Sequence, residues 1–529
     1  MASNKHNTYN TLFHWNSFRL QLVFEGIGIG VITGLVVVLY RFILEEAGLL
    51  LTRIYNALMT KPALIPVWLV VLVVLGYIVG LMVKNEPMIS GSGIPQVEGV
   101  LLRKLSMTWW KVIIGKFIGG VLAIGAGLSM GREGPSVQLG AAVGQGFSSV
   151  LKRIKIEEKY LITSGASAGL AAAFGAPLAG VMFALEEVHK NFSPLVLCSA
   201  LSAALSADFV TNEFLGMKPV LSFANLHDFP LRYYFFIILL GIIIGFLGVV
   251  FNKTLLKSQD LYARQRWLPK KYWVILPLLI SVLLGLFLPQ VLGGGHELIA
   301  ALVTEKNFTL KLLLLLILAK FFFTMACYGS GAPGGIFLPL LAIGALIGNI
   351  YGIVVVHMFH LDSTYINNFI ILAMAGYFTA IVRAPITGTI LITEMTGSFT
   401  HFLSLALISI SAYIVADLLG SKPIYESLLE KVLHRQGEES AIGSEKTKSI
   451  LEFAVCMGSK LDGKLIKEVE WPSHCLLVSV KRGEREIIPK GDTMIYPGDY
   501  LIVLTNDDRV SKINDVLSEM VGSCEIGLS

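Results

Sequence analysis

Charge is what this sequence has least of. Only 15% of its 529 residues are Asp, Glu, Lys or Arg, against roughly 25% in soluble domains, and that deficit argues against a cytosolic enzyme. The 42 basic and 37 acidic residues leave a net charge of +5. The basic side chains fall in loops between apolar runs and form no patch interleaved with aromatics, so a nucleic-acid polymer is not an expected partner. Cysteine is scarce too. Cys198, Cys327, Cys456, Cys475 and Cys524 show neither CxxC nor Cys/His spacing, which predicts no metal site and no disulfide framework. Enzyme signatures are missing: HELIA at 296–300 is not HExxH, GIGIG at 26–30 is not GxGxxG, and no P-loop occurs. The potassium-filter sequence TVGYG is also absent. Residues 1–18, MASNKHNTYNTLFHWNSF, are polar and lack a small-residue cleavage site, which predicts no cleaved signal peptide and a cytoplasmic N-terminal segment.

What the chain does have is hydrophobicity: 54% apolar residues and a mean hydropathy of +0.70. A membrane-spanning helix takes about 20 apolar residues. Apolar runs cover 20–45, 64–83, 111–129, 160–186, 193–210, 233–252, 272–292, 311–327, 336–356, 366–393 and 401–420. Several are broken by Gly or Pro, which membranes tolerate where the freed backbone is buried in protein or lines a cavity. The expectation is an all-α polytopic membrane protein of the transporter or channel kind over residues 19–430, with halves at 19–225 and 230–430. Basic clusters at Lys152, Arg153 and Lys155, and at Lys253, Lys257, Arg264, Arg266, Lys270 and Lys271, place those loops in the cytoplasm. The loops near 211–230 and 293–310 read as external. A polar linker follows at 431–449. From 450 to 529, alternating apolar residues in CLLVSV and YLIVL, separated by RGE and PGD, predict a small soluble domain.

Two pairs of segments repeat their spacing. GREGPSVQLGAAVG and GIFLPLLAIGALIG place Pro135, Gly140 and Gly144 against Pro339, Gly344 and Gly348. GAPLAGVMFALEE and RAPITGTILITEM place Pro177, Gly180 and Glu186 against Pro385, Gly388 and Glu394. A near-constant offset predicts a duplication, with the substrate site where the halves meet near the bilayer midplane.

Three Gly/Pro loops carry the candidate chemistry: GSGIPQVEG (91–99), GREGP (131–135) and GGIFLP (334–339). Each leads into a Pro suited to the first turn of a helix. Helix N-termini offer unpaired N–H groups and partial positive charge, which together suit a small anion; the alternative is three tight turns. Ser92 adds a hydroxyl. Glu133 is an intramembrane carboxylate beside such ends, a functional candidate by position: ionised it imitates the anion, protonated it releases, and the alternative is a salt bridge to Arg132. Of Glu186 and Glu187, one could relay protons; the alternative is that both are solvated or pair with Lys190. Tyr425 is either an O–H donor or an interfacial anchor.

GSGIP, GREGP, GGIFLP and a late Tyr after Lys-Pro, in this order over about 20–430, resemble the CLC family of chloride channels and chloride/proton antiporters. The resemblance implies a homodimer of multi-pass subunits, each with its own pore built from an inverted repeat of broken, tilted helices. It implies chloride coordination by Ser92, Tyr425 and the backbone of Ile336 and Phe337, with Glu133 as external gate. Glu187 then matches the internal proton glutamate of the family's antiporters, where its channels carry an apolar residue. The implied function is a bacterial plasma-membrane chloride/proton exchanger with cytoplasmic termini; the alternative is a passive chloride channel. Ser92 in place of Pro resembles the chloride-preferring form, and Pro135 departs from the fluoride-exporting branch. Residues 450–529, through LDGKLIKEV and IIPKGDTMIYPGDYLIVL, resemble the RCK C-terminal (TrkA-C) module, a small α/β domain. Such modules dimerise and in some proteins bind cyclic di-AMP, which implies His474, Arg482, Arg485, Ile487, Ile488 and Pro489 as nucleotide contacts; the alternative is a domain that only tightens the dimer. The module alone also suggests a potassium-uptake subunit, which lacks its filter here. No other cofactor and no metal are expected.

Overall fold

The computed structural model describes residues 4–153, 155–217, 220–221, 223, 229–265, 268–304, 308–435, 448–456, 458–482, 485–506 and 510–522. Most of the linker expected at 431–449, and parts of the loops expected outside the membrane, thus lie outside the described residues. The chain divides into two compact units, Met1–Val432 and Leu433–Ser529.

The first unit is helical. Among the described residues eight helices are long and apolar enough to cross a bilayer, from Leu20–Thr60 to Tyr365–Val382. Several runs that look continuous in sequence are broken. The run 160–186 splits where Gly175, at φ +60°, ends the helix Lys155–Phe174 and Pro177 starts the next, Pro177–Phe183. Arg383, at φ +73°, and Pro385 repeat this break between Tyr365–Val382 and Pro385–Thr396. The first run extends well past its apolar core as the helix Asn4–Thr60, which takes in most of the segment expected to be a separate polar N-terminus.

The duplication is visible in the backbone. Glu133–Val150 packs on Lys155–Phe174, and Phe337–Phe359 packs on Tyr365–Val382. The repeated glycines make these contacts close: a Cβ on Gly140 would fall 2.0 Å from the Gly165 carbonyl, and one on Gly348 2.3 Å from that of Phe369. Gly131 and Gly335, equivalent residues of the two halves, hydrogen-bond reciprocally, N–H to O=C at 2.7 and 2.8 Å. A contact of i with j matched by j with i is the signature of a two-fold axis, and here it relates the two halves of one chain. A second reciprocal contact joins them. Glu394 accepts from the N–H groups of Leu178 and Ala179 (3.1 and 2.7 Å), while Glu186 accepts from those of Ile386 and Thr387 (3.3 and 2.8 Å) and from the Thr387 hydroxyl (2.7 Å). Each half caps the broken helix of the other.

The second unit holds four antiparallel strands, β1 (Lys448–Ala454), β2 (Cys475–Arg482), β3 (Arg485–Ile487) and β4 (Asp499–Asn506), in the order β1-β4-β2-β3. Their alternation buries Phe453, Val480, Leu501 and Val503 against Ile513 and Leu517 of the helix Val510–Val521. Cys456 is disulfide-bonded, where the scattered cysteines had suggested no disulfide framework, while Cys198, Cys327 and Cys475 are free thiols.

Candidate anion site

The first loop is built by side chains from below it. Lys116, fully buried, donates to the carbonyls of Ile89 (2.9 Å) and Gly91 (2.6 Å); Gln138 donates to Met88 (2.7 Å) and Gln96 to Ser90 (2.8 Å). Gly91 and Gly93 take φ values of +62° and +90°, which favour glycine. A Cβ on Gly93 would also lie 2.2 Å from Gln138 Oε1. The loop delivers Ser92, fully buried, to the start of the helix Ile94–Leu101, and the Ser92 hydroxyl oxygen accepts from the Ile94 N–H at 3.3 Å.

Glu133 opens the helix Glu133–Val150 and is 1% exposed. Its carboxylate meets the backbone N–H groups of Glu133 itself and of Leu338, in the first turn of Phe337–Phe359, and its Oε2 has no hydrogen-bond partner. The expected alternative, an ion pair with Arg132, does not form: Arg132 reaches Glu45 at 3.1 Å. A carboxylate therefore lies where two helix N-termini converge, the place their chemistry offers to an anion. The helix ends are reinforced by Gly134, whose close approach to the Ser92 backbone (2.9 Å from a Cβ to its oxygen) brings the first loop against this turn.

Ile336 and Phe337 are fully buried at the start of the third helix. The Phe337 ring packs among Phe174, Phe183 and Phe378. Tyr425, also fully buried, sets its ring edge-on to Phe183 at 6.3 Å, and its hydroxyl has no partner. That position excludes the interfacial-anchor alternative. Sequence reading missed two further groups. Lys116 is a cation inside the apolar run 111–129, and that isolated charge was its signal. Tyr328 is buried with its hydroxyl hydrogen-bonded at Ser92; nothing in its run sets it apart.

Residues 75–417 match the family model described as voltage gated chloride channel, and residues 450–518 match that of the TrkA-C domain. The protein named H(+)/Cl(-) exchange transporter ClcA of Salmonella gallinarum is 35% identical over 440 residues, 80% of this chain and 92% of that one. The chain belongs to the CLC family. A slow cyanobacterial Cl−/H+ antiporter, seen in a crystal structure, superposes with a TM-score of 0.74 at 32% identity, covering 79% of this chain and 99% of that one. A CLC-type fluoride/proton antiporter does so at 0.64 and 25% identity, with 75% and 96% covered.

In this CLC protein Glu187 lies on a π-helical turn, Ala184–His189, of the kind that often marks functional sites. The wider turn sends Glu186 to the Pro385 helix, so Glu186 neither pairs with Lys190 nor stays free in solvent, and it leaves Glu187 buried with Oε1 unpartnered. Lys190, just beyond, donates to Glu98 at 2.5 Å and lies 3.8 Å from Glu426. A cavity of about 310 Å³ opens at Glu98, Val188, His189 and Lys190. The buried carboxylate thus stands one turn from a polar entry.

The expected nucleotide contacts of the second unit gather on the β2–β3 hairpin. His474, at φ +69°, precedes β2; Ile487 ends β3; Ile488, 82% exposed, and Pro489 follow. Arg482 is already engaged, bidentate to Asp499 (2.8 Å for both contacts), donating to Met494 and stacked over Tyr496. The side chain of Arg485 lies outside the described residues.

Proposed function

We propose that the protein exchanges chloride against protons across the bacterial plasma membrane, as a homodimer with cytoplasmic termini. Chloride is held by Ser92, Tyr425 and the backbone N–H groups at Ile336 and Phe337; Tyr328 and Lys116 set the loop that presents Ser92. Ionised Glu133 occupies the outer anion position. On protonation it loses its attraction to the helix ends, leaves, and lets chloride in; Glu187 passes protons between the cytoplasmic cavity and the pathway. The observation that carries this reading is the Glu133 carboxylate seated on the Leu338 amide with an unsatisfied oxygen. The 35% identity to a named exchanger supports the same activity. Regulation enters at the second unit, where cyclic di-AMP binds the hairpin through His474, Ile487, Ile488 and Pro489, with Arg485 toward phosphate. Arg482 joins only by surrendering Asp499.

The test is purified protein in liposomes under a chloride gradient. Wild type drives protons uphill, whereas Glu133→Ala carries chloride with no proton movement. Proton uptake retained in that variant sinks the gate. Chloride flux without proton movement in the wild type identifies a passive channel. Cyclic di-AMP added to either preparation shifts the rate if the hairpin reading is right.

A further inference from the structure

A cavity of about 870 Å³ lies on the face of the membrane unit read as external. Gly131 and Leu338 form part of its wall. These are the residues against the Glu133 carboxylate, since a Cβ on Gly131 would lie 2.1 Å from Oε2. The cavity therefore abuts the gate.

Two independent observations concern what it would hold. Arg41 lines it and is only 8% exposed. Its Nη1 donates to the Ala172 carbonyl at 2.9 Å, its Nε has no partner, and among the described residues no carboxylate is within ion-pair distance. Glu45, Glu133 and Asp208 act on it only from beyond contact; a buried guanidinium with no anion in direct contact is costly, and a mobile anion in the cavity would supply one. Arg132 also lines the cavity with a buried, unpartnered Nε; its Nη1 is held by Glu45, which is itself half exposed. Glu297 lies on the same wall and is exposed.

The second observation is the duplication. Lys320, buried like Lys116, donates to the carbonyls of Val291 (2.9 Å) and Gly293 (2.7 Å), as Lys116 does to Ile89 and Gly91. Gly293 and Gly295 take φ values of +61° and +109°, as Gly91 and Gly93 take +62° and +90°. The helix His296–Thr304 follows, as Ile94–Leu101 follows the first loop. The loop 291–296 is therefore a structural copy of the one that presents Ser92, with Gly294 in the serine's place, and it lines this cavity.

We propose that Arg41 and the N-terminal turn of the His296 helix form a second binding site for a monovalent anion, which captures chloride before it reaches Glu133. Without a hydroxyl in the Ser92 position the copy holds the ion loosely, as a capture site must. The inference rests on chloride being the transported ion.

Crystals of the full chain grown with bromide and measured at the bromine edge provide the direct test. The expected result is an anomalous peak between Arg41 Nε and Gly294–His296 that Arg41→Gln abolishes. Bromide at Ser92 with none in the cavity overturns the site. Liposomes with chloride varied on one side at a time provide the second. His296→Glu, at a position exposed to the cavity, should raise the half-saturating chloride on its own side about tenfold, the lower end of what electrostatic focusing gives, and leave the other side unchanged. An equal change on both sides, or none, overturns the proposal. Wild-type protein that carries no chloride refutes the transport reading instead, and leaves the bromide peak to decide this site.

Discussion

An ammonium group buried in a membrane protein must spend its protons somewhere, and Lys116 spends them on the loop that carries Ser92. Hydrogen bonds from a charged donor contribute about 1.5–3 kcal/mol each. Lys116→Met leaves the Ile89 carbonyl without a donor and the Gly91 carbonyl with only the Gly334 N–H, at 2.9 Å, to hold the loop. We expect chloride affinity, measured calorimetrically on purified protein, to fall about tenfold, since ~1.4 kcal/mol is a factor of ten; Lys116→Arg should recover part of the loss. At this scale the sequence was unevenly informative. The burial of Glu133 at a helix start was legible because glycines and a proline frame it between apolar runs. Lys116 was overlooked because its role depends on two carbonyls 25 and 27 residues away. Tyr328 was hidden because aromatic residues are ordinary in apolar helices.

Broken helices owe their stability to groups supplied from elsewhere, and the Glu186 and Glu394 caps are such groups. A carboxylate on helix N–H groups contributes about 0.5–2 kcal/mol. Glu186→Gln and Glu394→Gln should each lower the thermal midpoint of the detergent-purified protein by a few degrees. Glu186→Gln should nonetheless keep proton coupling in liposomes, whereas Glu187→Gln should lose it. Equal loss in both would reassign Glu186 to the proton path. The breaks at Gly175 and Arg383 were only half readable, because hydropathy continues across them. The helix Glu133–Val150 escaped the apolar runs altogether. It carries Ser136, Gln138 and Ser148, all buried, because other helices rather than lipid surround it.

At the scale of the molecule the two units obey different solvents. Of the second unit's strands, β2 and β4 were legible from alternation, whereas β1 begins inside the segment expected as linker and β3 is too short to show a period; the unit's stability carries a pH signature. Burial opposes ionisation of Asp499, but the Arg482 guanidinium and the Tyr496 N–H outweigh it and hold the carboxyl below its ordinary range. A depressed folded-state pKa stabilises above the unfolded value, about 3.9, and that contribution is lost as pH falls through the folded one. Hydrogen exchange of the β2 and β4 peptides in the full chain should therefore show protection that declines below about pH 4 in wild type. In Asp499→Asn the protection should already be reduced at neutral pH and should vary less with acid. A wild-type profile flat down to low pH would remove the ion pair from the account.

The reciprocal hydrogen bonds between Gly131 and Gly335 stitch the two halves together two residues from Glu133, the proposed gate. Rocking one half against the other, the common way to alternate access in duplicated transporters, would tear both stitches beside the proposed anion site. Rotation of one glutamate side chain tears neither. The seam therefore favours a turnstile over a rocker: a fixed frame with a single moving arm.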